Sequence, residues 1–451
     1  MRRTTPLFLM VIVSGLPVAG FAQTHRLTLN EALQRADQGA YANRIATGRT
    51  QTQSGQAMAP LQGILPTVRL EGGYMRTTDP LNAFGFTLRQ RSVTQAAFDP
   101  ARLNYPPAIG NVAAGLVLEL PLVNVDAYLG RGAATRARDA SEAAQAWTLQ
   151  STALDVVRAY YGTTLAAEQT GALEAAYRSA QAHVREAESL ERNGMATHSD
   201  VLLAQVKAGQ TESDLIAARS RAGIARRQLA VLLGAPPDST LDLPDSLPAA
   251  ELVRGLGAEK DSVAIGNRGD VRAAHLGFEA ASRDLKRAHS LYFPRVNSFG
   301  RLDWNDPSAP FGGQNSWTVG LMVSWSPFAG ASERAEIVSA GGRRAEAAAM
   351  AEAAEARASV ELAEANDQLG VALARLEIAQ RAVQQSEEAH RIMGRKYEGG
   401  LATVMELFDA AAAETQSRLQ FAAARYDAIV AAGARRVAGG LDLSVLSNLE
   451  S

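Results

Sequence analysis

The chain has 451 residues, a net charge of -2 and 20% charged residues, so it carries no basic surplus of the kind that tracks a nucleic-acid backbone. Cysteine is absent, which removes disulfides, thiolate metal sites, cysteine nucleophiles and the lipobox cysteine of a bacterial lipoprotein. Any attachment to a membrane has to come from the fold.

Arg2 and Arg3 precede an apolar run from Leu7 to Val13, and Gly20 and Ala22 flank Phe21 in the small-residue pattern of a cleavage site. Residues 1–22 therefore read as a secretory signal peptide, with the mature chain starting at Gln23. A membrane anchor is the alternative, but the apolar run is short for a span of about 20 residues. No later segment is long and apolar enough for a transmembrane helix, so a membrane role requires β-strands.

Two segments with period-two alternation come next. In 67–75, Val68, Leu70 and Tyr74 alternate with Thr67, Arg69 and Glu71; in 111–120, Val112, Leu116, Leu118 and Leu120 alternate with Asn111, Gly115 and Glu119. A second pair follows much later, with Leu302 and Trp304 against Arg301 and Asp303, and then Trp317, Val319, Leu321, Val323 and Trp325 against Ser316, Thr318, Gly320 and Ser324. Strands of about 10 residues with one apolar face suit a transmembrane barrel, and a half-buried soluble sheet reads almost the same.

Each strand pair is followed by a long stretch without proline, 122–235 and 328–451, rich in Ala, Glu, Arg, Gln and Leu. That composition favours helix, and Leu154, Val157, Tyr161 and Leu165 step by three or four as a buried helical stripe does. Glycines mark a break near the middle of each, at Gly194 and at Gly399 and Gly400. The spacing predicts two helical hairpins with arms of roughly 50 to 60 residues, each about 75 to 90 Å long at 1.5 Å per residue.

The halves also match one another. Leu65, Pro66 and Val68 correspond to Phe293, Pro294 and Val296, and the turn residues Gly194, Ala196, Thr197 and Asp200 to Gly400, Ala402, Thr403 and Glu406. An internal repeat follows: 23–240 and 263–451 each carry a helix, two strands and a long hairpin, joined by a linker at 241–262. The connection at 78–110 is longer than its counterpart at 306–314 and reads as an enlarged surface loop. Four strands cannot close a bacterial barrel, which starts at eight, and open edges in lipid leave backbone groups unpaired. Two chains would give eight strands and a filled interior; three would give 12 and room for a lumen.

Nothing in the chain reads as enzymatic. HExxH, GxxxxGK[ST] and GxSxG are all absent, and His183 and His198 read as solvated helix residues rather than metal ligands. No metal or cofactor is expected.

Taken together, Leu27, Thr28, Leu29, Glu31 and Ala32, the two Leu/Phe-Pro-x-Val strand starts, the Gly-x-Ala-Thr turns, Asp270, and the closing Ala438, Gly439 and Gly440 resemble the TolC-like outer membrane factor family. The resemblance covers nearly the whole mature chain. It implies an α+β membrane protein: a homotrimeric 12-stranded β-barrel, four strands per protomer, continued by a long periplasmic α-helical barrel. The implied function is the outer-membrane exit duct of a tripartite efflux pump, exporting small solutes with a periplasmic adaptor and an inner-membrane transporter. A duct for type I protein secretion is the nearest alternative. A periplasmic coiled-coil scaffold without a pore is another, though a stalk has no use for a lipid-facing sheet.

The resemblance also assigns roles to residues. Glu406 and Asp409, three apart and so on one helix face, would line a closed periplasmic aperture, where threefold repetition would favour cations. Asp200 and Tyr397 would help hold neighbouring hairpins shut. Gly194, Ala196, Thr197, Gly400, Ala402 and Thr403 would form the tips that meet the adaptor. Some members carry a basic residue where this chain has Ala402, so a salt-bridge lock through that position cannot form.

Overall fold

A computed structural model of the protein describes residues 26–257 and 264–450. The signal peptide expected at 1–22, the Gln23 start expected for the mature chain and the last residues of the linker expected at 241–262 lie outside them.

The elements run α1 (Leu29–Gly39), α2 (Tyr41–Met58), β1 (Thr67–Thr77), α3 (Pro80–Arg89), α4 (Pro100–Asn104), β2 (Ile109–Val123), α5 (Val125–Arg192), α6 (His198–Leu232), α7 (Ala250–Gly255), α8 (Gly269–Ser290), β3 (Arg295–Asp306), β4 (Gln314–Ser324), α9 (Ser332–Glu398) and α10 (Val404–Ala438). All four strand segments expected from alternation are present, with Trp325 falling just past the end of β4. The 78–110 connection is more than a surface loop, because it contains α3 and α4. Asp79 and Asp99 cap these helices, and Pro80 and Pro100 occupy their first positions, where a missing N–H costs nothing.

The strands form one antiparallel sheet in the order β1-β2-β3-β4. Its register gathers the alternating residues into rows. Leu70, Leu116, Leu302 and Trp317 lie side by side across all four strands on one face, and Glu71, Gly115, Asp303 and Ser316 form the next row on the other. The sheet thus has an apolar face and a polar one, and Leu70, Leu116, Trp317, Val319 and Leu321 are exposed on the apolar side of the protomer. Among the described residues no helix is long and apolar enough to cross a membrane.

The helical arms are unequal, which corrects the expectation of matched arms with a central break. α5 and α9 have 68 and 67 residues, while α6 and α10 have 35 each. At 1.5 Å per residue the long arms span about 100 Å and the short ones about 50 Å. The remaining length of α5 packs against α2 and α8, and α8 also packs along α9. Each short arm therefore accompanies only the part of its partner nearest the turn, and the helices preceding the strands line the part nearest the sheet. Between the halves the lengths agree almost residue for residue.

The largest apolar core lies where these sets of helices meet. It joins Leu29 and Ala32 of α1, Val156, Val157, Tyr160 and Tyr161 of α5, Leu229 of α6, Val253 of α7, Leu376 of α9 and Ile429 of α10. A capping box between Thr28 and Glu31 starts α1, and the Tyr160 hydroxyl donates to the Leu27 carbonyl at 2.8 Å. Two buried arginines clasp this region. Arg425 pairs with Glu168 and donates to the Leu247 carbonyl. Arg268 donates to Asp270 at 2.8 Å and to Glu361 at 2.6 Å while its guanidinium stacks 4.5 Å from the Trp147 ring. Asp270 thereby acquires a physical role, anchoring a buried cation at the start of α8.

Candidate functional site

The two hairpin turns are built by the same backbone logic. α5 ends with Gly194 at φ +73° and α9 with Gly400 at φ +70°, a left-handed conformation that glycine adopts without a Cβ penalty. The Met195 N–H then reaches back to the Leu190 carbonyl and the Gly194 N–H to Glu191; likewise Leu401 reaches Lys396 and Gly400 reaches Tyr397. These paired bonds satisfy the last carbonyls of each helix. Three residues past the glycine, Thr197 and Thr403 cap the next helix in capping boxes closed by Asp200 and Glu406. The Gly-x-Ala-Thr motif is thus a helix stop joined to a helix start.

Near their turns the hairpins pack against each other through a small apolar cluster that includes Ala187, Val201, Ala204, Tyr397, Val404, Leu407 and Phe408. Val404, Leu407 and Phe408 face this cluster, which leaves Glu406 and Asp409 exposed on another side of α10. Glu406 also has a structural task at the start of α10. Its carboxylate accepts from the Thr403 N–H at 2.7 Å and from the Thr403 hydroxyl at 2.9 Å. Those two bonds, helped by the Lys396 charge, hold it below the usual carboxylate range.

Asp200 does the equivalent work in the first hairpin, accepting from the Thr197 N–H at 2.9 Å and from its hydroxyl at 2.8 Å. Tyr397 is buried and its hydroxyl makes no hydrogen bond within the described protomer. Burial, with the nearby charges of Glu186 and Asp200, pushes the phenol up. Asp200 and Tyr397 are therefore brought near each other but not hydrogen-bonded within one chain. Gly194 and Gly400 are exposed with open space around them, Ala402 packs at the edge of the tip cluster, and Thr197 and Thr403 lie at the surface while Ala196 is half-buried.

The sequence reading missed a histidine pair. His198 is solvated as expected, its ring 2.8 Å from Glu191, but His183 is largely enclosed between the hairpins. Its ring meets His390 of α9 edge-on at 5.9 Å and Phe408 of α10 at 5.7 Å. Burial lowers its pKa, and the neighbouring His390 adds to the effect, while Glu186 at 3.5 Å opposes it. His390 in turn contacts Glu414 at 2.6 Å. Beside the pair opens a cavity of about 400 Å³, lined by Leu173, Lys207, Asp214, Phe408, Glu414 and Arg418 among others. Only its aromatic neighbours, His390 on α9 and Phe408 on α10, brought to it by the fold, distinguish His183 from a solvated residue.

Comparison with known proteins agrees with this architecture. The family model described as outer membrane efflux protein matches residues 44–235 and 262–435. No curated protein matches the sequence significantly. Among solved structures, the outer membrane protein VceC of Vibrio cholerae is 20% identical, covering 92% of this chain and 97% of its own, with a TM-score of 0.74. CusC is 16% identical over 92% of each chain with a TM-score of 0.77. The MtrE outer membrane channel of Neisseria gonorrhoeae, solved in an open state, is 18% identical over 92% of this chain and 89% of its own, with a TM-score of 0.72. A four-stranded sheet with one apolar face, two long hairpins with matched turns, and a family match spanning both halves lead to one assignment: the chain belongs to the outer membrane efflux protein family.

Proposed function

We propose that the protein is the outer-membrane exit duct of a tripartite efflux pump, a homotrimer that passes small solutes outward from a periplasmic adaptor and an inner-membrane transporter. The observation that carries this reading is the sheet. Its four strands leave β1 and β4 each with a neighbour on one side only, and its apolar face is exposed in the protomer. In lipid both edges need partners, and three protomers joined edge to edge give a 12-stranded barrel, with the apolar face toward lipid and the polar face toward the lumen. The long arms then carry the passage about 100 Å into the periplasm, where the matched turns offer the adaptor six equivalent tips per trimer. Within each protomer, 23–240 and 263–451 act as two structural repeats about the 241–262 linker. Glu406 and Asp409 line the aperture at the tips, and Tyr397 with Asp200 contributes to its closure.

Detergent-extracted protein examined by light scattering should have three protomers, and a strain lacking the chain should accumulate a pump substrate that re-expression clears. A monomer released with the soluble periplasmic fraction would overturn the proposal.

A further inference from the structure

The polar face of the sheet carries a continuous ladder of charge. Arg69 of β1 lies 2.5 Å from Glu119 of β2 and 3.8 Å from Glu71. Arg301 of β3 reaches 3.5 Å to Glu71 and 2.7 Å to Asp303. For Arg301 to meet a carboxylate on β1 it has to cross β2, and the residue under that crossing is Gly115, which pairs with both Glu71 and Asp303. A Cβ at Gly115 would stand 3.0 Å from the Asp303 carboxylate and 3.5 Å from the Arg301 guanidinium, so the missing side chain is what leaves the path open. The neighbouring polar-face residues Asn111, Asn305, Ser316 and Thr318 are neutral, and the ladder is the charge this part of the face presents.

We propose that Arg69 and Arg301 are specificity-determining residues of the duct, setting the ionic preference of its lumen at the level of the outer membrane. The inference rests on the reading of the polar face as lumenal. Two guanidiniums stand against three carboxylates in each protomer, so the ring formed by three copies keeps a small negative surplus. The arginines hold that surplus down; without one of them the wall doubles its net charge. The side chains are about half-exposed, and at 0.1 M salt the screening length is about 10 Å. Such a wall charge therefore acts on ions passing close to it. As exposed ion pairs these contacts add little stability, which leaves selectivity as their measurable effect.

The test is the reversal potential of the purified protein in planar bilayers under a potassium chloride gradient at low salt. Arg301→Gln and Arg69→Gln should each raise the potassium-over-chloride permeability ratio several-fold, and Arg301→Lys, which keeps the charge but loses the forked reach, should shift it less. Arg76→Gln removes the same charge from the opposite face of β1 and should leave the ratio near that of the wild type. Channels that conduct normally with an unchanged ratio in both glutamine variants, or with an equal shift in Arg76→Gln, overturn the proposal. Wild-type protein that assembles in the bilayer but never conducts overturns the duct reading, and this inference with it.

Discussion

Gly39 and Gly234 meet back to back where α1 and α6 end, and the contact is too close for any side chain. A Cβ on Gly234 would stand 2.2 Å from the Gly39 carbonyl oxygen, and Gly234 is also at φ +74°. Gly400 shares the left-handed backbone at φ +70° but has open space around it. The two glycines therefore separate backbone strain from steric exclusion. Replacing Gly400 with alanine should cost about 1–2 kcal/mol of local backbone energy and leave assembly intact. Gly234→Ala adds a clash with main chain that cannot move without displacing α1, so the yield of assembled trimer from membranes should fall sharply. Equal yields of the two variants on native gels would contradict this.

At the scale of elements, His183 makes the packing of the hairpins sensitive to acid. Its pKa is lowered in the packed state, chiefly by burial, so protons bind more strongly once the hairpins part and the ring is hydrated. Linkage then fixes the sign: the packing is at full strength above the ordinary histidine value near 6.5 and is lost as the pH falls through the lowered one. His390, Glu186, Glu414, Lys207, Asp214 and Arg418 surround the ring or its cavity. Of these, Glu186 works against the loss and His390 with it. Amide exchange around 180–190 and 390–408, corrected for the intrinsic pH dependence, should rise between pH 7 and pH 5 in the wild type. In His183→Phe, which keeps a buried ring without the proton, the rise should be much smaller; an identical rise would assign it to another group.

These elements also show what a sequence can and cannot convey. The hairpin turns were legible because stop and start are local chemistry: a left-handed glycine, then Thr-x-x-Asp or Thr-x-x-Glu. The same grammar is present at Asp79-Pro80 and Asp99-Pro100, where an N-cap before a first-position proline announces α3 and α4 within the 78–110 connection. The unequal arms were not legible. α2 buries Asn43, Ala46 and Ala57, and α8 buries Gly269, Val271, Ala288 and Ser290, surfaces too small to leave an apolar period in the chain. Their place beside α5 and α9 is set by the assembled core. For the same reason His183 and His390, far apart in sequence, gave no sign that they meet.

For the whole molecule the sharpest expectation is at the tips, where threefold symmetry would bring Glu406 and Asp409 of each protomer toward one axis. Like charges gathered in a narrow passage attract cations and repel anions, so neutralising them should reduce cation selectivity and block by divalent ions added from the periplasmic side. The structure dictates which substitutions report on this. Glu406 closes the capping box of α10, and alanine there would remove the carboxylate that satisfies the Thr403 N–H at the helix start. Glu406→Gln with Asp409→Asn removes the charge while keeping an acceptor for Thr403. The comparison is Glu387→Gln with Glu388→Gln on the preceding arm, although these acids pair with Arg418 and Arg391, so their loss also exposes positive charge farther from the turn. In bilayer recordings the tip variant should lose most of its divalent block, and the arm variant should change far less, with the contrast widest near 1 M salt, where screening falls to about 3 Å and only charges at the constriction are felt. Equal changes in the two variants would mean that the acids act through general surface charge, and the aperture would have to be sought elsewhere along the helices.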